Sequence, residues 1–488
     1  MTPAKPGVNL VGFVGGERGQ GPSVRLGLGE IVGRVARALE HAGIPFVTVP
    51  YLPTSARPSS VQVDLAVYDT NLICLNADYL VSFMADAGDE FFAGRTSIAF
   101  WFWETSRFRL DRHTPLAFLD EIWVASAYVR DAVAAEVDIP VFVAPLPMDV
   151  PAPPTLSRSD LGLPGGYLFL FTFNFISGIR KNPEAVLEAF TRAFAPGEGP
   201  VLVLKSVNGR ERKPALLSAL ERAVGDRQDV LVIDRYASEE ENRAIIASCD
   251  CYVSLHRSEG LGLTMAEAMA LGKPVVATGY SGNLDFMDDS NSYLVPYELV
   301  EVPTNWWAYA PGATWAEPDV EAAARIMRHA WEHPDEARAV GERAREDLLE
   351  RFSLGRTADY VHARLEDVRA QGTVARHASR HDARPALVKA SRALAPDIGA
   401  SLVEDRGTRP ASSVRRFLRR ALWPYLAEQQ RVDSALLEAV TRLQRSIEDI
   451  ERRVCRLERA GASTPVSNLA DIQPETILSP GRPREQPP

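Results

Sequence analysis

H-R-S-E-G-L-G-L-T-M-A-E-A-M-A-L-G-K-P-V-V-A-T-G-Y-S-G-N-L-D-F-M, residues His256 to Met287, decides how this chain is read. An apolar run, Cys251 to Leu255, leads into a loop that carries Glu259, Gly260 and Gly262. A helix follows, with Met265, Met269 and Leu271 as its apolar positions and Gly272 at its end. Lys273-Pro274 then opens a second strand, Val275 to Thr278. The pattern is strand, glycine loop, helix, strand. A glycine loop entering a helix offers unpaired backbone amides at the positive end of the helix dipole, which suits a phosphate. Two carboxylates bracket that loop, Glu259 on it and Glu267 eight residues later in the helix. Taken alone, the spacing also fits a plain βαβ unit with two solvated carboxylates.

Outward from this stretch, apolar strands alternate with helical segments along the chain. Val8 to Val14 reads as a strand, followed by glycine-rich Gly15 to Gly21 and a helix from about Val24 to Ala42 with Leu28, Ile31, Val35 and Leu39 on one face. Further strands are expected at Leu72 to Leu75, Thr96 to Trp103, Glu121 to Val124 and Val141 to Ala144. The alternation predicts a parallel sheet with crossover helices, and ligands in such sheets collect beyond the carboxyl ends of the strands. Asn76, Glu104 and Ser126 fall at such ends. The glycines near Gly16 do not meet Gly-x-Gly-x-x-Gly, which argues against a dinucleotide site. Pro151, Pro153 and Pro154 mark a linker before a second strand-rich half that opens at Tyr167 to Asn174. Asn182 is placed to cap the helix starting at Pro183. Trp315 to Asp319 is read as the start of a helix running through Trp331, and a last helix is expected from Phe352-Ser353 to Gln371.

Glu-x7-Glu, together with Ser258, Gly262-Leu263-Thr264, Gly272-Lys273-Pro274 and Ser281-Gly282, resembles the signature of retaining glycosyltransferases of the GT-B fold, most closely family four (bacterial glycosyl transferase group 1). The resemblance spans about Val8 to Gln371. It implies an α/β fold of two Rossmann-like parallel-sheet domains facing a cleft, here followed by a helical C-terminal extension. It implies that Glu259 faces the donor sugar. The amides of Gly260, Leu261, Gly262, Leu263 and Thr264 hold the diphosphate, and Glu267 bonds the ribose hydroxyls. Arg180-Lys181 puts two cations at the mouth of a strand, which suits a diphosphate, and the resemblance gives the family's leaving-group roles to Arg180 and Lys205. Asn174 and Tyr236 fall where the donor lies, Tyr236 beside the base. Gly16 belongs to the glycine loop that faces the cleft in the first half. Glu104 is either a carboxylate facing the acceptor hydroxyl or the partner of Arg107 or Arg109. The family's cleft histidine has no clear counterpart, because His41 closes a helix and His113 sits in a polar loop.

The implied activity is transfer of a hexose from a nucleoside-diphosphate sugar to a hydroxyl acceptor: a saccharide, a lipid-linked saccharide or a glycolipid. No cofactor is expected, and the lack of Asp-x-Asp suits a site without a metal. The alternatives are a GT-B sugar-nucleotide epimerase and a non-catalytic nucleotide-sugar-binding scaffold. Expected boundaries are 1–150 for the acceptor-side domain, 151–165 for the linker, 166–355 for the nucleotide-sugar domain and 356–371 for a crossover helix. A loose linker at 372–412, helices at 413–460 and a tail at 461–488 complete the chain. Within it, 413–426 is basic and amphipathic, fitting either an anionic membrane surface or a protein face. Val440, Ile447 and Val454 alternate with Leu443, Ile450 and Leu457 at heptad spacing across 436–457, which fits a parallel homodimer or an ordinary packed helix.

Composition is ordinary for a soluble globular protein. Of 488 residues, 46% are hydrophobic and 24% charged, and the net charge of -10 gives no footprint for nucleic acid. Four cysteines form no disulfide framework or metal cluster pattern, so a reducing, cytoplasmic setting is expected, peripheral to the membrane at most.

Overall fold

The computed structural model describes residues 5–13, 28–51, 61–109, 116–149, 155–303 and 309–370. Gly16, His113, part of the linker and everything from 371 onward, including the basic and heptad segments, lie outside the described residues. Two six-stranded parallel sheets form the framework, as the alternation predicts. The first is built from β1 (Lys5–Gly12), β2 (Phe46–Pro50), β3 (Tyr68–Ile73), β4 (Thr96–Trp101), β5 (Glu121–Val124) and β6 (Val141–Val143), in the order β2-β1-β3-β4-β5-β6. The second comprises β7 (Leu168–Asn174), β8 (Val201–Val207), β9 (Val230–Asp234), β10 (Cys251–Ser254), β11 (Val275–Thr278) and β12 (Tyr293–Val295). Its order, β12-β11-β10-β7-β8-β9, reverses direction between β7 and β10. The strands are near-continuous apolar runs because helices cover both faces. Leu168, Phe169, Leu170, Val253, Val275 and Val276 are all fully buried.

The reversal matters for function. Connections from β7 and β10 leave the sheet toward opposite faces, which opens a crevice at the carboxyl ends of these two strands. Asn174 closes β7, and the Glu259 loop follows β10.

Three elements differ from their expected form. Thr314–Pro318 is a strand, β14, paired antiparallel with β13 (Tyr297–Glu301). Trp315 therefore lies on a hairpin, packed with Val300 and Tyr309, and the helix begins only at Val320 with Asp319 accepting from the Ala322 amide at 2.9 Å. Asn182 precedes Pro183 in a left-handed conformation (φ 58°), and its side chain does not cap the helix. Its Nδ2 instead donates to the Leu255 carbonyl at 3.1 Å, tying the β7 connection to the end of β10. Lys205 sits inside β8, two residues before its end.

The helix Leu354–Ala370 returns to the first sheet. Arg364 Nε donates to Glu121 Oε1 at 3.1 Å, and Arg369 pairs with Asp69. Cys74, Cys249 and Cys251 are free, buried thiols. Among the described residues no helix is long and apolar enough to cross a membrane.

Candidate active site

Glu259 is the centre of the crevice. Its backbone is fixed by the neighbouring loop: the amide donates to Ser281 Oγ at 2.8 Å, and the carbonyl accepts from the Gly282 amide at 2.9 Å. The loops touch so closely that a Cβ on Gly282 would lie 2.2 Å from the Gly260 carbonyl oxygen. His256 braces the same loop from beneath. It is fully buried, with one ring nitrogen at the Ser254 hydroxyl and the other at the Tyr280 carbonyl and Asn283 Oδ1. Burial holds its imidazole below the usual range, so it serves as a neutral strut.

The Glu259 side chain is only 6% exposed and meets two cations. Arg180 Nη1 lies 3.1 Å from Oε2 and donates to the Ser258 carbonyl at 2.6 Å. Lys181 Nζ pairs with Oε1. Burial alone raises a carboxyl pKa; here the Lys181 ammonium and the Arg180 guanidinium outweigh it and hold Glu259 at about 2. Arg180 is 7% exposed, and its guanidinium stays charged despite burial because Glu259 and Glu104 face it. Glu104 reaches it from the first sheet's half, Oε1 3.7 Å from Nη2. Glu104, expected either to face the acceptor or to pair with Arg107 or Arg109, pairs with Arg180, and Arg107 pairs with Glu136.

The cation that joins Arg180 at Glu259 is Lys181, its neighbour at the mouth of β7, while Lys205 lies in β8. Lys205 Nζ donates to the carbonyls of Ser206 and Arg235, and the side chain is 3% exposed. Burial, then the Arg235 charge, lowers its pKa to about 8. The folded protein therefore binds fewer protons than the unfolded chain between about 8 and the ordinary value of 10.5, and stability attributable to Lys205 rises with pH across that window. The melting temperature of the wild type, relative to Lys205→Met, is expected to climb from pH 8 to pH 10. A flat difference rejects the assignment.

Beside this centre, the ends of β7, β8 and β9 are linked by side chains. Tyr236 OH donates to Asn208 Oδ1 at 2.6 Å, Asn208 Nδ2 to Asn174 Oδ1 at 2.9 Å, and the Ile176 amide also donates to Asn174. Asn174 and Tyr236 are therefore held in one network. Gly262, at φ 96°, turns the chain into the helix Leu263–Ala270, whose first amides have no intrahelical acceptor. Glu267 stands on that helix one turn in, and its Oε1 accepts from Arg34 Nη2 at 2.7 Å.

The halves meet directly at the glycine loop. Ser126 Oγ donates to the Gly260 carbonyl at 2.6 Å, and the Ala127 amide to Asp285. A Cβ on Gly260 would lie 2.5 Å from the Trp103 carbonyl oxygen. Gly260→Ala should force this seam apart at a cost of about 1–3 kcal/mol and reduce turnover, seen as a lower melting temperature and kcat. Gly33→Ala, where nothing lies within 4 Å, should leave both unchanged or slightly raise stability by about 0.5–1 kcal/mol. The β13–β14 hairpin adds a second seam. Arg257, next to Ser258, grips Glu317 with two bonds of 2.7 and 2.9 Å and donates to the Ile179 carbonyl, while Thr314 bonds Ser106 across the halves.

Residues 177–347 match the family model "Glycosyl transferases group 1". A D-inositol 3-phosphate glycosyltransferase of Xylanimonas cellulosilytica is 34% identical over 164 residues, which cover 33% of this chain and only 37% of that relative. Among solved structures, Anabaena Alr3699/HepE in complex with UDP and glucose covers 74% of this chain and 100% of its own (TM-score 0.53, 16% identity). A glycosyltransferase from Rickettsia africae covers 75% and 98% (TM-score 0.54, 14% identity). At these identities the structural likeness speaks for the fold. The chain thus has the two-sheet GT-B fold, and residues 177–347, with Arg180, Lys181, Glu259 and Glu267 among them, carry the match to the group 1 glycosyl transferases.

Proposed function

We propose that this protein is a retaining glycosyltransferase that moves a hexose from a nucleoside-diphosphate sugar to a hydroxyl of a saccharide, a lipid-linked saccharide or a glycolipid, without a metal. The observation that carries the proposal is the buried, ionised Glu259 between Arg180 and Lys181 at the strand-order reversal. A carboxylate in that state accepts hydrogen bonds from sugar hydroxyls without becoming a proton donor. Arg180 and Lys181 bring fixed positive charge to the place where charge develops on a leaving diphosphate. The helix start at Leu263 and Thr264 adds amides aimed at the same group. Glu267 takes the ribose, and Tyr236 and Asn174 border the nucleotide. The match over 177–347 and the UDP bound by the Anabaena protein of the same fold support a nucleotide-sugar donor.

In the proposed reaction the bond from the anomeric carbon to the diphosphate oxygen breaks, and the acceptor oxygen bonds the same face. The acceptor proton passes to an oxygen of the departing diphosphate. No strong side-chain base is then needed, which fits a site whose central carboxylate is pinned at low pKa. Glu104, reaching Arg180 from the first half, stands on the acceptor side.

The test is release of free nucleoside diphosphate from UDP-, GDP- and ADP-sugars in the presence of EDTA, with Glu259→Ala as control. Glu259-dependent release from one donor, undiminished by EDTA, is the expected result. Release that requires a divalent cation overturns the metal-free reading, and binding without release under any acceptor leaves the scaffold alternative standing.

A further inference from the structure

Arg34 is nearly buried, 9% exposed, on the helix Leu28–His41 of the first half, and yet its guanidinium is aimed at the second. Nη1 donates to the Pro147 carbonyl at 2.7 Å. Nε and Nη2 hold Glu30 Oε1 at 2.9 and 2.6 Å, four residues back on the same helix. Nη2 also holds Glu267 Oε1 at 2.7 Å, across the cleft. One planar fork therefore locks its own helix, the end of the first sheet's half and a carboxylate of the opposite half. Arg37 and Asp149 form a second ion pair next to it.

Glu267 needs this partner. It faces Glu30 across the cleft, and Arg34 bonds both carboxyls. Burial, then the charge of Glu30, pushes its carboxyl well above the usual carboxylate range, and Arg34 opposes both. Take Arg34 away and two carboxyls face one another without the guanidinium that bonds both, and Glu267 loses the bond that fixes its orientation.

We propose that Arg34 is a positioning residue for the nucleotide's ribose: it holds Glu267 by one oxygen from the opposite side of the cleft, so that recognition of the ribose hydroxyls is completed only when the two halves are docked. The proposal rests on the reading of Glu267 as the ribose carboxylate. It gives the donor site a specificity element outside the matched segment 177–347. It also means that a donor lacking the hydroxyl loses an interaction which the protein has arranged from both halves.

The experiment is equilibrium binding of UDP, GDP and ADP, each beside its 2′-deoxy counterpart, to the full chain and its variants. The wild type should prefer the ribose form of its nucleotide by about tenfold, the upper end of what one ordinary hydrogen bond is worth. Glu267→Gln should lose most of that preference. Arg34→Met, which keeps the aliphatic stem, should lose it to the same degree, and the double variant should lose no more than either alone. Arg34→Lys, which keeps the charge and guards against a folding failure in the Met variant, should show an intermediate ratio. A merely structural role for Arg34 would weaken both nucleotides equally and leave the ratio intact. That outcome, with Glu267→Gln still losing the preference, overturns the proposal while sparing the ribose reading. A Glu267→Gln protein that discriminates as the wild type does, or a wild type that does not discriminate, overturns the ribose reading and the proposal with it.

Discussion

Arg180→Ala should lower kcat at saturating donor by about 10²–10³, the range seen when one preorganised donor is removed from a developing negative charge. Arg180 is 7% exposed and its guanidinium meets Glu259, Glu104 and the Ser258 carbonyl. Alanine removes the charge and leaves Glu259 with Lys181 alone, while the Ser258 carbonyl loses its donor. Breaking a buried pair from one side costs about 3–5 kcal/mol, so the melting temperature should fall as well. Arg180→Lys separates the two effects. A lysine keeps the charge but cannot hold the Ser258 carbonyl and the Glu259 carboxylate in a planar fork. It should recover most of the stability and only part of the rate. Full folding of Arg180→Ala with kcat within about threefold of wild type would remove Arg180 from the leaving-group role, since one lost donor is worth far more.

The strand, loop, helix and strand at Cys251 to Thr278 were legible because each carries a local signal: an apolar run, positional glycines, helical spacing, then a second apolar run. The two parallel sheets follow from that alternation repeated. What the sequence hid are contacts between residues far apart in the chain. Arg34 and Glu267 are 233 positions apart, and no local pattern links them. Adjacent helical residues ordinarily point to different faces, so a single partner shared by Arg180 and Lys181 is not legible from their order. Here the helix Gly178–Lys181 lasts one turn and ends in left-handed Asn182, so both side chains reach Glu259. The hairpin was misread for a related reason. Pro318-Asp319 is a genuine helix-start signal, and it drew Trp315 to Glu317 into the helix. Trp315, Ala316 and Glu317 pair with Val300, Leu299 and Glu298 as a strand, but that partner lies beyond a 12-residue connection without a tight-turn signature. Lys205 shows the limit of position alone: placed near a strand end, it spends its ammonium on two backbone carbonyls.

Glu259→Ala should be worse for folding than Glu259→Gln, and both should be inactive. Alanine leaves Arg180 and Lys181 as two like charges in a nearly dry crevice, the situation that makes one-sided removal of a buried pair so costly. Glutamine keeps the volume and an acceptor oxygen for the guanidinium but no longer neutralises it. It should fold with a smaller penalty and still lose at least about 10² in turnover, because a neutral amide neither balances the two cations nor binds sugar hydroxyls as strongly. The pH dependence tests the electrostatic part directly. The folded pKa of Glu259 is about 2, below the ordinary 4.5, so its contribution to stability is fully present above about 4.5 and is lost as pH falls through about 2. A difference of that size corresponds to about 3 kcal/mol. The stability gap between wild type and Glu259→Gln, measured by urea unfolding, should therefore be widest near pH 6, narrow below pH 4 and close near pH 2. If the gap instead stays constant from pH 6 to pH 3, Glu259 is held by shape rather than by charge, and Arg180 and Lys181 are not its electrostatic partners.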